Sequence, residues 1–371
     1  MDFQFHMPVR VISGADAVRK HAEVLRGMGR RCVIVTGNSS AKRSGALEDV
    51  CAALDHGEVE YRIFDGIGAN PLVSACDRAG RLAAEFDADF LIGIGGGSPM
   101  DAAKAAAVYA ANPDIRGEGI YGYDPTCDLP PLPVVLVGTT AGTGSEVSAV
   151  AVLTRDSDGR KKSISGPFCF AQVAFADPRY TYSVPYEGTV STALDALSHT
   201  VEGMLNPLCG DVIRMYGKRA LELIGPALVR MGKEHTLPGA AERERLYYGS
   251  LYAGVVLASC GTAFPHPMGY VLTEDYAVPH GRACAAFLPS LVEYAAGTAP
   301  EAVREILGLL KMDLTEFRGL VGGLADVHIR MTQEKAEQYA SRWPGLKNFQ
   351  NVPGGYDERR AYELLLQLFC R

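Results

Sequence analysis

The hydrophobic residues of this chain change their rhythm about half way along. Up to about residue 180, short aliphatic and β-branched runs alternate with stretches of helical period: RRCVIVTG, VEYRIFDG, DADFLIGIGGG, LPVVLVGTT and AQVAFADP. That alternation predicts βαβ units and a largely parallel sheet covered by helices on both faces. After Pro185 the runs lengthen and take helical spacing, as in TALDALSHTVEGML, DVIRMYGKRALELIGPALVRM and RACAAFLPSLVEYAA. The second half is therefore expected to be nearly all α. The change falls at DPRYTYSVP, residues 177 to 185, and divides the chain into an α/β domain, 1–180, and a helical domain, 181–371. A length of 371 residues suits two such domains.

Composition narrows the class of molecule without steering it. With 47% hydrophobic and 21% charged residues, the chain reads as an ordinary globular protein. A net charge of -7, with no basic run, argues against nucleic acid or an anionic membrane surface as partner. No apolar run reaches the roughly 18 residues of a membrane helix. The N-terminal MDFQFHMPVRVISG lacks a basic leader and an apolar core, so it is read as mature protein. The nine cysteines are scattered and never in C-x-x-C spacing. They suggest neither a disulfide framework nor a thiolate zinc site, and a reducing, cytoplasmic location is expected.

Two strand tips carry glycines and hydroxyls. FLIGIGGGSPMDAAKAAAV turns from strand to helix through Gly95, Gly96, Gly97 and Ser98. Ser98 is placed to cap, Pro99 to open the helix, and Asp101 to complete a capping box. Free amides at such a helix start suit a pyrophosphate. A bare glycine run is equally a tight turn without a ligand, but VVLVGTTAGTGSEV ends a second strand in the same manner. Neighbouring parallel strands present their carboxyl ends to a common ligand crevice, so the two tips together predict nucleotide binding. Neither segment fits G-x-G-x-x-G.

In STALDALSHTVEG, Asp195 and His199 share one helix face, one turn apart. In isolation such a pair is an ordinary surface contact, yet Leu194, Leu197 and Val201 give this helix apolar flanks, and a buried carboxylate needs a cation or donors. In HPMGYVLTEDYAVPHG, His266 and His280 each border prolines at loop-to-helix positions, where the restricted backbone aims a side chain. Together the four supply one carboxylate and three imidazoles, a set suited to Fe²⁺ or Zn²⁺ and lacking soft sulfur.

GGGSPMDAAK, GTTAGTGSEV, DALSHTVEG and HPMGYVLTEDYAVPHG, in that order, resemble the iron-containing (group III) alcohol dehydrogenase family over most of the chain, with a looser match in the last sixty or so residues. The resemblance implies a dinucleotide-binding α/β domain, an all-α domain, a divalent metal in the cleft between them, and reversible NAD(P)-linked oxidation of an alcohol. It implies metal ligands at Asp195, His199, His266 and His280. Nucleotide contacts are implied at Asn70, at the turn from Gly96 through Gly97 and Ser98 to Asp101, and at Thr139, Thr140 and Ser148. A lysine, taken as Lys161 with Lys162 adjacent, completes them. Where many members carry a further histidine near the metal, this chain has Tyr270, so proton transfer through that imidazole does not carry over.

On this reading the cation binds the substrate oxygen as a Lewis acid, while hydride passes between substrate carbon and nicotinamide, with no side-chain nucleophile. Tyr270 is expected to line the pocket. The strand tip at Gly37 lacks the acidic residue of NAD-selective folds and is followed by Ser39, Ser40, Lys42 and Arg43, which favours NADP over NAD. Two other readings are a dehydroquinate-synthase-like lyase or cyclase using NAD and metal, and a nucleotide- and metal-binding sensor without turnover. The first would need basic residues for a phosphorylated substrate, and mainly Arg282 stands near the metal motifs. A dimer is expected from the prevalence of symmetric homo-oligomers.

Overall fold

The computed structural model describes residues 5–370; the first four residues of the stretch read for a leader, and the last residue of the chain, lie outside them. The chain divides into two compact units, Met7–Val184 and the chain from Pro185 onward, the second joined by the N-terminal segment up to His6.

The first unit is built on strands β1 (Arg10–Ser13), β2 (Arg31–Gly37), β3 (Glu60–Ile67), β4 (Phe90–Gly95), β5 (Val134–Gly138), β6 (Val150–Thr154), β7 (Lys161–Ser165) and β8 (Val173–Ala176). Six form a sheet in the order β1-β8-β5-β4-β2-β3, parallel at every pairing, while β6 and β7 form an antiparallel hairpin. Val33, Val35, Leu91 and Leu136 pack on one face against Ala103 and Ala106 of the Gly97–Ala111 helix. Cys32, Ile34, Ile92 and Val135 pack on the other against Val50 and Leu54 of the Ala46–His56 helix. Burial on both faces is why the central runs are continuously apolar rather than alternating. The register sets Gly95 opposite Gly138, so the two glycine-bearing tips are neighbours. Strand β1 and the β6–β7 hairpin add to the strands expected from the sequence.

The second unit is helical. Its central helix, Tyr186–Leu205, is buried at every residue from Ala193 to Leu205, Asp195, Ser198, His199, Thr200 and Glu202 included. Polar groups removed from water on all sides of a helix must find partners in the interior. Around it lie Asp211–Glu234, Ala240–Cys260, Pro265–Tyr276, His280–Ala285 and Leu288–Thr298. RACAAFLPSLVEYAA forms two helices rather than one, interrupted at Ala286 and Phe287. Pro289, in the first turn of the second, lacks an N–H and would clash with the carbonyl four residues back in a continuous helix. Among the described residues no helix is long and apolar enough to cross a membrane.

Two glycines let the short His280–Ala285 helix approach its neighbours main chain to main chain. A Cβ on Gly281 would lie 1.8 Å from the carbonyl oxygen of Ser191 in the central helix. One on Gly269 would lie 2.9 Å from both the amide nitrogen and Sγ of Cys284.

Candidate metal centre and nucleotide loops

Asp195 and His199 project from the central helix one turn apart. His266 sits in the first turn of a helix that opens at Pro265, and His280 begins its own helix after Pro279. These openings bring Nε2 of three imidazoles to one carboxylate oxygen. His199 lies 3.6 Å, His266 3.7 Å and His280 3.7 Å from Asp195 Oδ1. Those spacings are too long for hydrogen bonds, and Asp195 Oδ1 and His266 Nε2, each on a side chain 4% exposed, have no hydrogen-bond partner. Ligand atoms bound at 2.0–2.2 Å around one tetrahedral ion lie roughly 3.4 Å apart, so the observed spacing is close to that of a loaded site. The residues present fit a divalent cation.

The electrostatics agree. Burial alone would raise the Asp195 carboxyl, but His199, His280 and His266 outweigh it and hold it below the ordinary carboxylate range. Burial would depress His266, whereas Cys284, Glu202 and Asp195 lift it well above the ordinary imidazole value. The cluster favours positive charge at its centre, and a cation supplies that without a proton.

Two residues of the cluster carry no mark of their own in the sequence reading. Glu202, fully buried, accepts from the Ala263 amide at 2.6 Å and lies 2.7 Å from His266 Nδ1. A carboxylate only accepts, so Nδ1 carries the hydrogen and Nε2 keeps the lone pair a metal needs. Its signal was spacing: Asp195, His199 and Glu202 recur at i, i+4 and i+7, one helix face. Cys284 is the other; its Sγ flanks the His280 ring, 3.6 Å from Nδ1 and 3.8 Å from Nε2, and ligand atoms of Asp195, His266, His280 and Cys284 all fall within 4.8 Å of one another. It stands four residues after His280, again one turn. Tyr270 lays its ring against His280, centroids 5.6 Å apart.

In the first unit, the glycine turn departs from the expected capping pattern. Gly96 is the N-cap, the helix starts at Gly97, and no side chain caps it. Ser98 lies inside the first turn, where its Oγ accepts from the Asn70 amide at 3.2 Å. Asn70 itself holds a left-handed φ of 56°, which asparagine tolerates. Asp101 does not complete a capping box but braces the second glycine loop, accepting from Ser145 Oγ at 2.6 Å and from the Val152 amide at 2.8 Å. Buried Lys104 donates to Ser145 Oγ at 3.0 Å, to the Ser148 carbonyl at 3.0 Å and to the Val150 carbonyl at 2.9 Å. Two buried hydroxyls of that loop, Thr139 Oγ1 and Thr140 Oγ1, have no hydrogen-bond partner, as expected of groups that await a ligand. Lys161 lies within electrostatic range of Asp101, whereas Lys162 stacks its ammonium over Tyr121 at 4.4 Å. Gly37 ends β2, Ser39 and Ser40 lead into the Ser40–Arg43 turn of helix, and Lys42 pairs with Asp65 at 3.4 Å.

A parallel sheet with glycine-tipped strands, and a helical unit with a buried carboxylate–imidazole cluster, are the parts of a metal-dependent dehydrogenase. The family model of iron-containing alcohol dehydrogenases matches residues 8–178, and that of the Fe-containing alcohol dehydrogenase family, C-terminal, matches residues 189–327. An iron-containing alcohol dehydrogenase from Thermotoga maritima shares the fold with a TM-score of 0.91 at 32% identity, over 99% of each chain. Lactaldehyde reductase of Escherichia coli (strain K12) is 28% identical over 295 residues, 79% of this chain and 76% of its own. NADPH-dependent butanol dehydrogenase of Clostridium saccharobutylicum is 27% identical over 283 residues, 75% of this chain and 71% of its own.

The chain belongs to the iron-containing alcohol dehydrogenase family. It is an NAD(P)-linked, metal-dependent oxidoreductase acting on CH–OH groups, which sets aside both the synthase-type and the sensor readings.

Proposed function

We propose that Asp195, His199, His266 and His280 hold one divalent ion, Fe²⁺ or Zn²⁺, and that the chain interconverts a small alcohol and its aldehyde or ketone with NADP. The observation that carries this reading is the convergence of three imidazole Nε2 atoms on Asp195 Oδ1. A cation there supplies Lewis acidity toward the substrate oxygen. The chain's own residues do the rest. Asp195 contributes the negative charge, Glu202 fixes the His266 tautomer, and Tyr270 stacks on His280 and lines the pocket. No side chain acts as a nucleophile.

In this reading the α/β unit holds the dinucleotide and the helical unit holds the metal. Amides of Gly96 and Gly97, at the start of a 15-residue helix, receive the pyrophosphate with Ser98 and Asn70. Thr139, Thr140 and Ser148 line the second tip, with Lys161 nearby, and Asp101 acts by bracing that loop. Gly37, Ser39 and Ser40 meet the adenosine end. No acidic residue ends β2, and Lys42 and Arg43 follow it, which favours a 2′-phosphate; the Clostridium relative is named for NADPH. All nine cysteines are free, in keeping with a reducing, cytoplasmic location, and a homodimer is the assembly we assign on general grounds.

The test is turnover of a panel of alcohols and aldehydes, followed at the nicotinamide absorbance band with each cofactor and defined metals. His266→Ala and His280→Ala are expected to lose most activity together with bound metal. Full metal occupancy and full turnover in either would refute the ligand assignment. Equal or better catalytic efficiency with NAD would refute the cofactor assignment.

A further inference from the structure

We infer that Cys209 and Cys260 are an oxidation-sensitive pair, a modification site at which a hydroperoxide links the two sulfurs reversibly as a disulfide. In a reducing compartment the pair rests as thiols and links only when oxidant rises.

Cys209 lies in the loop that follows the central helix, and Cys260 ends the Ala240–Cys260 helix. Both belong to one small apolar cluster with Ile213, Val256 and Tyr216, and their thiols stand within hydrogen-bonding reach. Groups other than the sulfurs hold them there. Asn206 Nδ2 donates to the Cys260 carbonyl at 2.7 Å, and the Asn206 carbonyl accepts from the Cys209 amide at 2.9 Å, so a single residue ties the loop to the helix end. Three residues beyond Cys260 the Ala263 amide donates to Glu202, so the segment that a disulfide would fix runs into the wall of the proposed centre.

The two thiols are unequal. Cys260 is 6% exposed, whereas Cys209 is half-buried beside exposed Pro207 and Leu208. A hydrogen bond from Cys260 and the charge of Arg214 bring the Cys209 thiol below its ordinary value, against burial and the carboxylates of Glu305 and Asp211. The same bond, together with burial, pushes Cys260 up. An oxidant meets first the thiol that is both reachable and richer in thiolate. Cys209 therefore attacks and Cys260 resolves.

In the first step the Cys209 thiolate bonds to one peroxide oxygen, the O–O bond breaks, and the departing hydroxide takes a proton to become water, leaving a sulfenic acid. In the second the Cys260 sulfur gives up its proton and attacks the sulfenic sulfur; the S–S bond forms, the S–O bond breaks, and a second water leaves. Two thiols lose two electrons and two protons, and one peroxide becomes two waters.

In the experiment the full-length protein, supplied with zinc because that ion has no redox chemistry of its own, is treated with hydrogen peroxide until exposed Cys127 is oxidised, then alkylated, digested and mapped by mass spectrometry. Expected is a linked Cys209–Cys260 peptide pair, lighter than the two thiol peptides by about 2 Da and separated again by dithiothreitol. Cys260→Ser should leave Cys209 trapped as a sulfenic acid that a dimedone probe labels, and Cys209→Ser should leave Cys260 unlabelled. Oxidised Cys127 with Cys209 and Cys260 unlinked in the wild type would overturn the pairing, as would their linkage only to other cysteines or to a second chain. Label on Cys260 in Cys209→Ser, with none on Cys209 in Cys260→Ser, would overturn the order of attack. The wild-type map decides the pairing even if neither variant folds.

Discussion

Replacing Glu202 by glutamine tests how the protein holds the imidazole of His266, one of the proposed metal ligands. The carboxylate is fully buried and carries two short contacts, 2.6 Å to the Ala263 amide and 2.7 Å to His266 Nδ1. A glutamine has one oxygen to offer. If that oxygen keeps the Ala263 amide, its NH₂ faces His266 Nδ1, and the imidazole must move its hydrogen to Nε2, where it blocks the metal. If the oxygen keeps His266, the NH₂ confronts the Ala263 amide and one buried donor is stranded. Loss of a hydrogen bond to a charged group costs about 1.5–3 kcal/mol. Disturbing the partner that orients a ligating histidine typically weakens metal binding by about 10–100-fold, or about 1.4–2.8 kcal/mol. Glu202→Gln should therefore bind zinc about 10–100-fold more weakly in competition with a chelator, and should unfold at lower denaturant concentration in the metal-free state. Zinc affinity within about threefold of wild type, with the protein folded, would show that Glu202 does not set the His266 tautomer.

Three further expectations follow from the same geometry. Gly281→Ala would put a methyl 1.8 Å from the Ser191 carbonyl oxygen, so urea denaturation should show a loss of about 1–3 kcal/mol or more; an unchanged midpoint would mean the helices can part freely. Tyr270→Phe removes a hydroxyl but keeps the ring against His280, so kcat should change by less than about tenfold with its pH profile in place; a hundredfold loss with metal and cofactor bound would put the hydroxyl on the proton path. Burial would raise the Asp77 carboxyl, but Arg81 and the Gly117 amide bring it below its ordinary value. A depressed folded pKa contributes stability that is present above the unfolded value and lost as pH falls through the folded one. The stability gap between wild type and Asp77→Asn should thus be present at neutral pH and close below about pH 4; a gap independent of pH would refute the pairing.

Much of this was legible in the chain before any coordinates, and the exceptions share physical causes. Strands β2, β4, β5 and β8 stood out because burial on both faces demands unbroken aliphatic runs. Strand β1 has four residues and gains its identity from pairing with β8, which no local pattern reports. The β6–β7 hairpin joins a short apolar strand, VAVLT, to a largely polar one, KKSIS, whose identity comes from pairing with it rather than from a period of its own. Ser98 has the chemistry of a cap, but the chain leaves β4 through Gly95 at φ 152° and the helix begins before the serine is reached. The four expected ligands were visible because two share a helix turn and two follow prolines. Glu202 and Cys284 share helix faces with those ligands, yet what distinguishes them is nearness to His266 and to the Asp195 oxygen, a fact of tertiary packing.

The contact at Gly281 and Gly269 has a bearing on how this scaffold can acquire new substrates. Because the proposed seat of the ion is clamped by main chain meeting main chain, its rigidity would owe little to the bulk of the side chains around it. Positions that merely border the reacting groups, Tyr270 first among them, are therefore open to exchange without loosening the seat. Laboratory evolution that randomises such positions while sparing the two glycines should retain metal-loaded, folded variants in high yield and explore substrate range almost independently of the catalytic ion.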